Sequence, residues 1–202
     1  MQEQEITLRQ RILRIFYPLL LLFGKLRQKM IRGKIAEPSL SFHSLSVQLN
    51  NGQLLSFEQL KGKKVLLVNT ASDCGYTHQY AQLQELYNQS RGSLEIIGFP
   101  ANDFKEQEKG SDEDIAKFCQ VNYGISFPLA KKSSVVPGPD QHPVFDWLTH
   151  SNKNGWNDKA PEWNFSKYLI DENGRLLYYF PPAVAPTDAP VKLAVGTLAS
   201  PL

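Results

Sequence analysis

A cysteine at the end of an apolar segment is the most reactive feature of this sequence. Residues 65–74 read VLLVNTASDC, so Cys74 follows a short, unbroken run of β-branched and apolar residues. Such a run predicts a strand covered on both faces of an α/β sheet, and the apolar spacing in residues 78–90 predicts a helix with Thr77 as its N-cap. A thiol at that junction lies near unpaired backbone N–H groups and the positive end of the helix dipole, which favour the thiolate. Cys74 is therefore a candidate nucleophile.

The second cysteine, Cys119, falls within a predicted helix that begins at Ser111 with a capping-box-like sequence. Its position on or beside the apolar face is typical of a small buried hydrophobe, although the two thiols could also form a redox pair. Two cysteines give neither a disulfide framework nor a closely spaced zinc site. The four histidines are scattered, so we expect no metal and no cofactor. Thr77 takes the place of the second cysteine of a C-x-x-C motif, which argues against an ordinary dithiol exchanger.

Length and composition favour one globular domain with an appendage. The chain has 202 residues, 42% of them hydrophobic, and its glycines and prolines are spread along it. A net charge of +2 is too small to indicate nucleic-acid binding, and no RNA-binding or zinc-finger pattern occurs. We therefore exclude nucleic acid as a partner.

The elements that must position Cys74 are those of an α/β fold. The strands predicted at 65–69 and 94–100 are separated by a helix, which implies a parallel pair. Asn173-Gly174 predicts an antiparallel hairpin beside them, and Asn51-Gly52 predicts another after a strand at 42–49. The prediction for residues 37–202 is a thioredoxin-like domain with a mixed central sheet flanked by helices, in which Cys74 lies at the first helix.

Residues 1–36 form a distinct N-terminal segment. Basic residues flank the run of nine residues at 15–23, IFYPLLLLF, which would span only about 14 Å as a helix and is too short to cross a membrane. Apolar residues at helical spacing with Arg and Lys elsewhere favour a basic amphipathic helix on a membrane surface, with a kink at Pro18. A secretory signal and a helix packed on its own domain are the alternatives. We expect a cytoplasmic protein at the inner face of a membrane, with an exported form as the alternative.

Four motifs together resemble the glutathione peroxidase family and run in its order over about residues 40–190. They are VNTASDCGYT at 68–77, GFPANDF at 98–104, FPL at 127–129 and WNFSKYL at 163–169. The resemblance implies that Cys74 is the peroxidatic residue and that Trp163 and Asn164 present an indole N–H and an amide to its sulfur. Neutral donors of this kind stabilise a sulfur anion and polarise a peroxide.

The same resemblance makes Asp103 a departure, because it falls on the position taken as the family's glutamine. A carboxylate beside the sulfur would raise the thiol pKa. Either Asp103 is turned away or protonated, or Asn102 supplies the amide, or activity is reduced. If Asp103 touches the sulfur, Asp103→Gln should raise the rate of reaction with peroxide.

The implied function is a thiol peroxidase that reduces hydrogen peroxide or lipid hydroperoxides. In it, Cys119 resolves a Cys74 sulfenic acid, and the α-helix from Ser111 must partly unwind to bring the sulfurs together. Thioredoxin is favoured over glutathione as the reductant because a resolving cysteine is present, and the short loop between His142 and Trp163 implies a monomer. The rivals are a non-catalytic redox sensor or binding protein of the same fold and a membrane-tethered thiol–disulfide protein.

Overall fold

A five-stranded mixed sheet forms the centre of this computed structural model. The structure describes residues 30–32, 37–90 and 92–197. The strands are β1 (Ile31–Arg32), β2 (Ser46–Gln48), β3 (Leu54–Ser56), β4 (Lys64–Thr70), β5 (Leu94–Pro100), β6 (Lys167–Ile170) and β7 (Leu176–Phe180). The α-helices are α1 (Gln79–Gln89), α2 (Asp112–Tyr123), α3 (Pro143–Leu148), α4 (Ser151–Asn154) and α5 (Ala189–Val195). The main sheet has the order β1-β7-β6-β4-β5, and β2 and β3 form a separate hairpin.

Strand β4 lies inside the sheet because its side chains are apolar on both faces. It pairs in parallel with β5 and antiparallel with β6. Val65 and Leu67 pack into one core with α3, while Leu66 and Val68 pack into the other core with α1 and α2. The prediction of a doubly covered strand ending near Cys74 is confirmed.

Helices α1 and α2 cover the same face of the sheet. Helix α1 buries Tyr80, Leu83 and Leu86, as the apolar spacing predicted. Helix α2 begins at the capping box of Ser111 and Asp114, in which each residue bonds the other's backbone N–H. Both helices therefore pack against the strand that leads to Cys74.

Two local predictions are corrected. Residues 42–49 were expected as one strand, but Phe42–Ser44 is a 3₁₀-helix and only Ser46–Gln48 pairs with β3. The Ser44 hydroxyl donates to the Ser41 carbonyl at 2.7 Å, which stabilises that helical turn. The Pro- and Ala-rich sequence after Pro181 is weakly patterned and predicts no helix, but it contains α5. Pro190 is tolerated there because the first helical N–H groups need no partner within the helix.

The N-terminal segment reaches the sheet edge. Ile31 and Arg32 pair with Tyr179 and Tyr178 of β7, and the Arg32 guanidinium lies 5.7 Å from the centre of the Tyr178 ring. The rest of the segment for which an amphipathic helix is predicted, residues 1–29 and 33–36, lies outside the described part of the chain. Within the ranges described, no helix combines the length and apolar character that crossing a membrane requires.

Candidate active site

Cys74 lies in a loop between β4 and α1 that hydrogen bonds hold from within. The Thr77 hydroxyl accepts from the Cys74 backbone N–H at 3.0 Å and donates to the Ala71 carbonyl, also at 3.0 Å. Helix α1 begins only at Gln79, with His78 at its N-cap position. Thr77 therefore fixes the backbone of the cysteine and does not cap the helix, which corrects the prediction from sequence.

The Cys74 sulfur is surrounded by neutral donors. The Tyr76 backbone N–H donates to Sγ at 3.4 Å, and the side chains of Trp163 and Asn164 also hydrogen-bond to the sulfur. Burial raises the thiol pKa, the three hydrogen bonds lower it, and the charge of Asp73 raises it further, with a net increase over the ordinary value. The expectation that the helix start would favour a resting thiolate is thus corrected, because burial outweighs the donors.

Trp163 and Asn164 belong to a strained turn that β4 holds in place. The next residue, Phe165, is fully buried with a φ of 67°, a conformation that bulky residues rarely adopt. Its backbone N–H donates to the Asn69 carbonyl at 2.6 Å, and the Asn69 amide donates to the Trp163 carbonyl at 3.1 Å. The side chain of Asn69 also accepts from the Ser166 N–H at 3.0 Å. The last residues of β4 thereby position both the nucleophile and its donors.

A buried lysine supports the same turn from the other side. Lys167 is fully buried, and its Nζ donates to the Phe165 carbonyl at 2.7 Å, to Gln79 Oε1 at 2.8 Å and to the Pro182 carbonyl at 3.4 Å. Burial lowers the pKa of Lys167 to about 7, with the charge of Asp188 opposing that shift. This residue and its contacts gave no signal in the sequence beyond its place in a strand.

Gln107 is a site residue that the sequence analysis missed. Its Oε1 accepts from Asn164 Nδ2 at 3.0 Å, and its backbone carbonyl accepts from the Asp73 N–H, also at 3.0 Å. The contact fixes the amide of Asn164 with its nitrogen toward Gln107, which leaves the second N–H of that nitrogen for the sulfur. The signal available was the loop 101–110 at the carboxyl end of β5, where α/β folds place functional groups.

Asp103 faces away from this cluster. Its two carboxylate oxygens accept from the Ser134 hydroxyl at 2.9 Å and from the Val135 backbone N–H at 2.8 Å. Asn102 is also engaged elsewhere, since its Oδ1 accepts from the Glu108 N–H at 2.9 Å. The first of the three alternatives for Asp103 therefore describes the structure, and the assignment of the missing amide to position 103 is corrected to Gln107.

Cys119 is a second free thiol, fully buried on α2. Burial raises its pKa to about 11, the neighbouring Tyr80 hydroxyl acts against that rise, and the charge of Glu108 adds to it. Apart from Ile115, it is the only buried residue of α2. Within the described ranges, no group of three or more His, Cys, Asp and Glu side chains is arranged to hold a metal ion.

Comparison with known proteins decides the family. Residues 42–149 match the family model of glutathione peroxidase. The chain belongs to the glutathione peroxidase family. Glutathione peroxidase-like peroxiredoxin 2 of Saccharomyces cerevisiae is 44% identical over 150 residues, covering 73% of this chain and 91% of the yeast protein. The glutathione peroxidase homolog BsaA of Staphylococcus epidermidis is 45% identical over 147 residues, covering 72% of this chain and 92% of its own.

A solved structure agrees in fold with this glutathione peroxidase-family chain. The crystal structure of T. cruzi GPX1 superposes with a TM-score of 0.57 at 29% identity and covers 77% of this chain and 97% of that one. The thioredoxin-like fold is thereby confirmed, as is the resemblance that the four motifs carried. Family membership and these relatives show that the protein is a thiol peroxidase.

Proposed function

We propose that this peroxidase reduces hydroperoxides through a sulfenic acid on Cys74, that Cys119 resolves it to a disulfide, and that a thioredoxin-like dithiol reduces that disulfide. The observation that carries the proposal is the set of neutral donors at the Cys74 sulfur, from Tyr76, Trp163 and Asn164. A half-buried thiol with several aimed donors is built to stabilise negative charge as it develops.

The first step transfers one oxygen atom to sulfur. The Cys74 thiolate attacks the peroxide O–O bond, the bond breaks, and the leaving alkoxide or hydroxide takes up the thiol's proton to give an alcohol or water. Because burial raises the pKa of the resting thiol, the site spends little time charged before substrate arrives. The amide of Asn164 and the indole of Trp163 then act most strongly on the charge that forms during attack.

The second step needs α2 to open. Cys119 is fully buried, so its sulfur must leave the core before it can meet Cys74. Only two of the helix's residues, Ile115 and Cys119, are buried, and Val121 is 73% exposed. A helix with few buried apolar contacts opens at low cost, which supports a local unwinding that delivers the resolving thiol.

The choice of reductant follows from the presence of a second thiol. A disulfide between two protein sulfurs is a substrate for thiol–disulfide exchange with an external dithiol, while glutathione would more simply reduce an unresolved sulfenic acid. We therefore assign thioredoxin or a similar protein as the donor. The short loop between His142 and Trp163 supports a monomer as the working form.

A coupled assay tests the reductant and the resolving thiol together. Reduced full-length protein is given hydrogen peroxide with either thioredoxin and its reductase or glutathione and its reductase, and NADPH consumption is followed. The wild type should turn over with thioredoxin, and Cys119→Ser should lose that turnover while still oxidising once at Cys74. Equal turnover of the wild type and Cys119→Ser with thioredoxin would refute the resolving role.

The N-terminal segment is assigned to a membrane surface on the cytoplasmic side, where lipid hydroperoxides form. Its basic and apolar residues at 9–34 support this assignment. The segment meets the domain at β1, on the edge of the sheet formed with β7. The full chain should bind anionic vesicles and reduce vesicle-borne hydroperoxides faster than a chain lacking residues 1–29, with equal rates on hydrogen peroxide. Equal vesicle rates for the two chains would remove the assignment.

A further inference from the structure

Glu108 is a buried carboxyl group that the proposed function leaves without a role. It is 1% exposed and lies in the loop between β5 and α2. Its Oε2 accepts from the Ser72 hydroxyl at 3.1 Å, and its backbone N–H donates to Asn102 Oδ1 at 2.9 Å. Ser72 precedes Cys74 by two positions. The carboxyl group is therefore anchored to the loop that carries the peroxidatic cysteine.

The same group borders the space between the two cysteine-bearing elements. A cavity of about 360 Å³ is lined by Ser72 and Asp73 of the Cys74 loop, by Gln107 and Glu108, and by α2 residues that include Ile115 and Phe118. Helix α2 carries Cys119, so movement of its thiol toward Cys74 takes place beside this cavity. Glu108 thus lies between the Cys74 loop and the helix that carries the resolving thiol.

The resolving step needs a proton acceptor. A thiol attacks a sulfenic acid as the thiolate, and burial raises the pKa of Cys119 to about 11. At neutral pH such a thiol is ionised to roughly one part in ten thousand. The charge of Glu108 acts on this thiol and on the neighbouring hydroxyl of Tyr80. Because Ser72 holds the carboxyl group at the Cys74 loop, the carboxylate can receive that proton when the Cys119 thiol reaches Cys74.

We propose that Glu108 is the catalytic base of the resolving step, taking the proton of the Cys119 thiol and passing it to the hydroxide that leaves Cys74. The proposal rests on the proposed function. The S–H bond of Cys119 breaks, the new S–S bond forms as the S–O bond of the sulfenic acid breaks, and the departing hydroxide with that proton becomes water. The sulfenic acid is the oxidant and the Cys119 thiol the reductant, so no further reagent is needed.

The surroundings of Glu108 allow its carboxyl group both to accept and to release a proton near neutral pH. Burial raises its pKa to about 7, hydrogen bonds from Ser72 and the charge of Lys132 oppose the rise, and the charge of Asp73 adds to it. Among the described residues, the other charged or titratable groups facing the cavity or the two thiols include Glu106, Lys109, Asp114, Tyr76 and Tyr80. Since the base must be ionised to act, resolution should speed up as pH rises through about 7.

The test separates the two chemical steps in the reduced full-length protein. Hydrogen peroxide is added in a stopped-flow instrument to follow Cys74 oxidation by tryptophan fluorescence, and acid-quenched samples are analysed by mass spectrometry for the disulfide. Glu108→Gln is isosteric, keeps an acceptor for Ser72 and cannot ionise. Glu106→Gln is the matched control, since the Glu106 side chain is 72% exposed.

We expect Glu108→Gln to oxidise at the wild-type rate and to form the disulfide about 100-fold more slowly, because general bases contribute about 10² to 10⁴ in rate. Its disulfide step should lose the pH dependence that the wild type and Glu106→Gln show. An unchanged disulfide rate in Glu108→Gln overturns the proposal. Glu108→Asp retains a carboxyl group should Glu108→Gln fail to fold, and a pH-independent disulfide step in it also overturns the proposal.

The variant Ser72→Ala distinguishes a role of Glu108 as a catalytic base from a role in holding the Cys74 loop. It removes the hydroxyl that holds Glu108 and leaves the carboxyl, so it should keep most of the disulfide rate and its pH dependence. A loss as large as that of Glu108→Gln would mean that Glu108 acts only by holding the Cys74 loop. Failure of the proposed function looks different, because the wild type itself would then lose one thiol and form no disulfide.

Discussion

Removing the amide of Asn164 should destabilise the Cys74 thiolate and raise the thiol pKa by an amount that can be calculated. Asn164 Nδ2 carries two N–H groups; one donates to Gln107 Oε1 at 3.0 Å, and the side chain also hydrogen-bonds to the Cys74 sulfur. A hydrogen bond to a charged group contributes about 1.5 kcal/mol or more. At about 1.4 kcal/mol per pKa unit, Asn164→Ala should raise the thiol pKa by about one unit.

The kinetic effect should be at least as large as the effect on the pKa. One pKa unit lowers the thiolate fraction at neutral pH about tenfold, and the same donor also acts on the charge that develops during attack. We expect the second-order rate with hydrogen peroxide to fall between about tenfold and a hundredfold. Thiolate absorbance against pH gives the pKa, and stopped-flow fluorescence gives the rate.

A folded Asn164→Ala variant that keeps both the wild-type thiol pKa and the wild-type rate would refute a role of this amide at the sulfur. Asn88→Ala is a matched control, because Asn88 is an exposed amide near the end of α1 that accepts a hydrogen bond from Gln84 at 3.1 Å. It should leave both values unchanged. A fall in rate in both variants would indicate a general loss of stability and no particular role for the amide at the sulfur.

Three further predictions follow from the same geometry. Gln107→Ala should raise the thiol pKa of Cys74 less than Asn164→Ala does, because it frees the amide of Asn164 without removing it; an equal or larger shift in a thiolate titration would contradict this. Asp103→Asn should leave that pKa and the peroxide rate unchanged, since both carboxylate oxygens bind elsewhere; a faster variant in stopped-flow would restore the interpretation from sequence. In the unfolded protein, Lys167 binds a proton at any pH below its usual pKa, whereas in the folded protein it stays neutral down to a pH of about 7. The free energy of unfolding of the wild type, relative to that of Lys167→Met, should therefore rise as the pH increases from about 7 towards that usual pKa, by up to about 1.4 kcal/mol per pH unit. Parallel urea-unfolding profiles of the two proteins between pH 7 and 10 would contradict this.

The central fold could be predicted because its signals are local. The apolar run that becomes β4, the helical spacing of α1 and the capping box of α2 each depend on neighbouring residues only. The hairpin at Asn173-Gly174 has the same property, and its strands pair as predicted. Helix α5 was missed because its Pro-rich sequence has weak helical periodicity, and packing of Val191 and Val195 onto the core decides its structure.

The sequence predicts the positions of the site residues that belong to a recognisable motif. It does not predict those whose positions depend on contacts between distant parts of the chain. Trp163 and Asn164 lie at the sulfur as the resemblance implied. Nothing local to position 103 shows that its carboxylate binds the 134–135 segment, and nothing local to Gln107 shows that its amide reaches a residue 57 positions away. The raised pKa of Cys74 likewise depends on burial, which the sequence around the cysteine does not reveal.

The most direct test of Cys74 as a peroxidatic nucleophile is the rate at which hydrogen peroxide oxidises the reduced full-length protein, followed by a count of the thiols that remain. We predict second-order oxidation orders of magnitude faster than that of free cysteine at the same pH, with loss of both thiols and none of the fast reaction in Cys74→Ser. Oxidation at the rate of free cysteine, or a fast reaction that survives Cys74→Ser, would contradict the account.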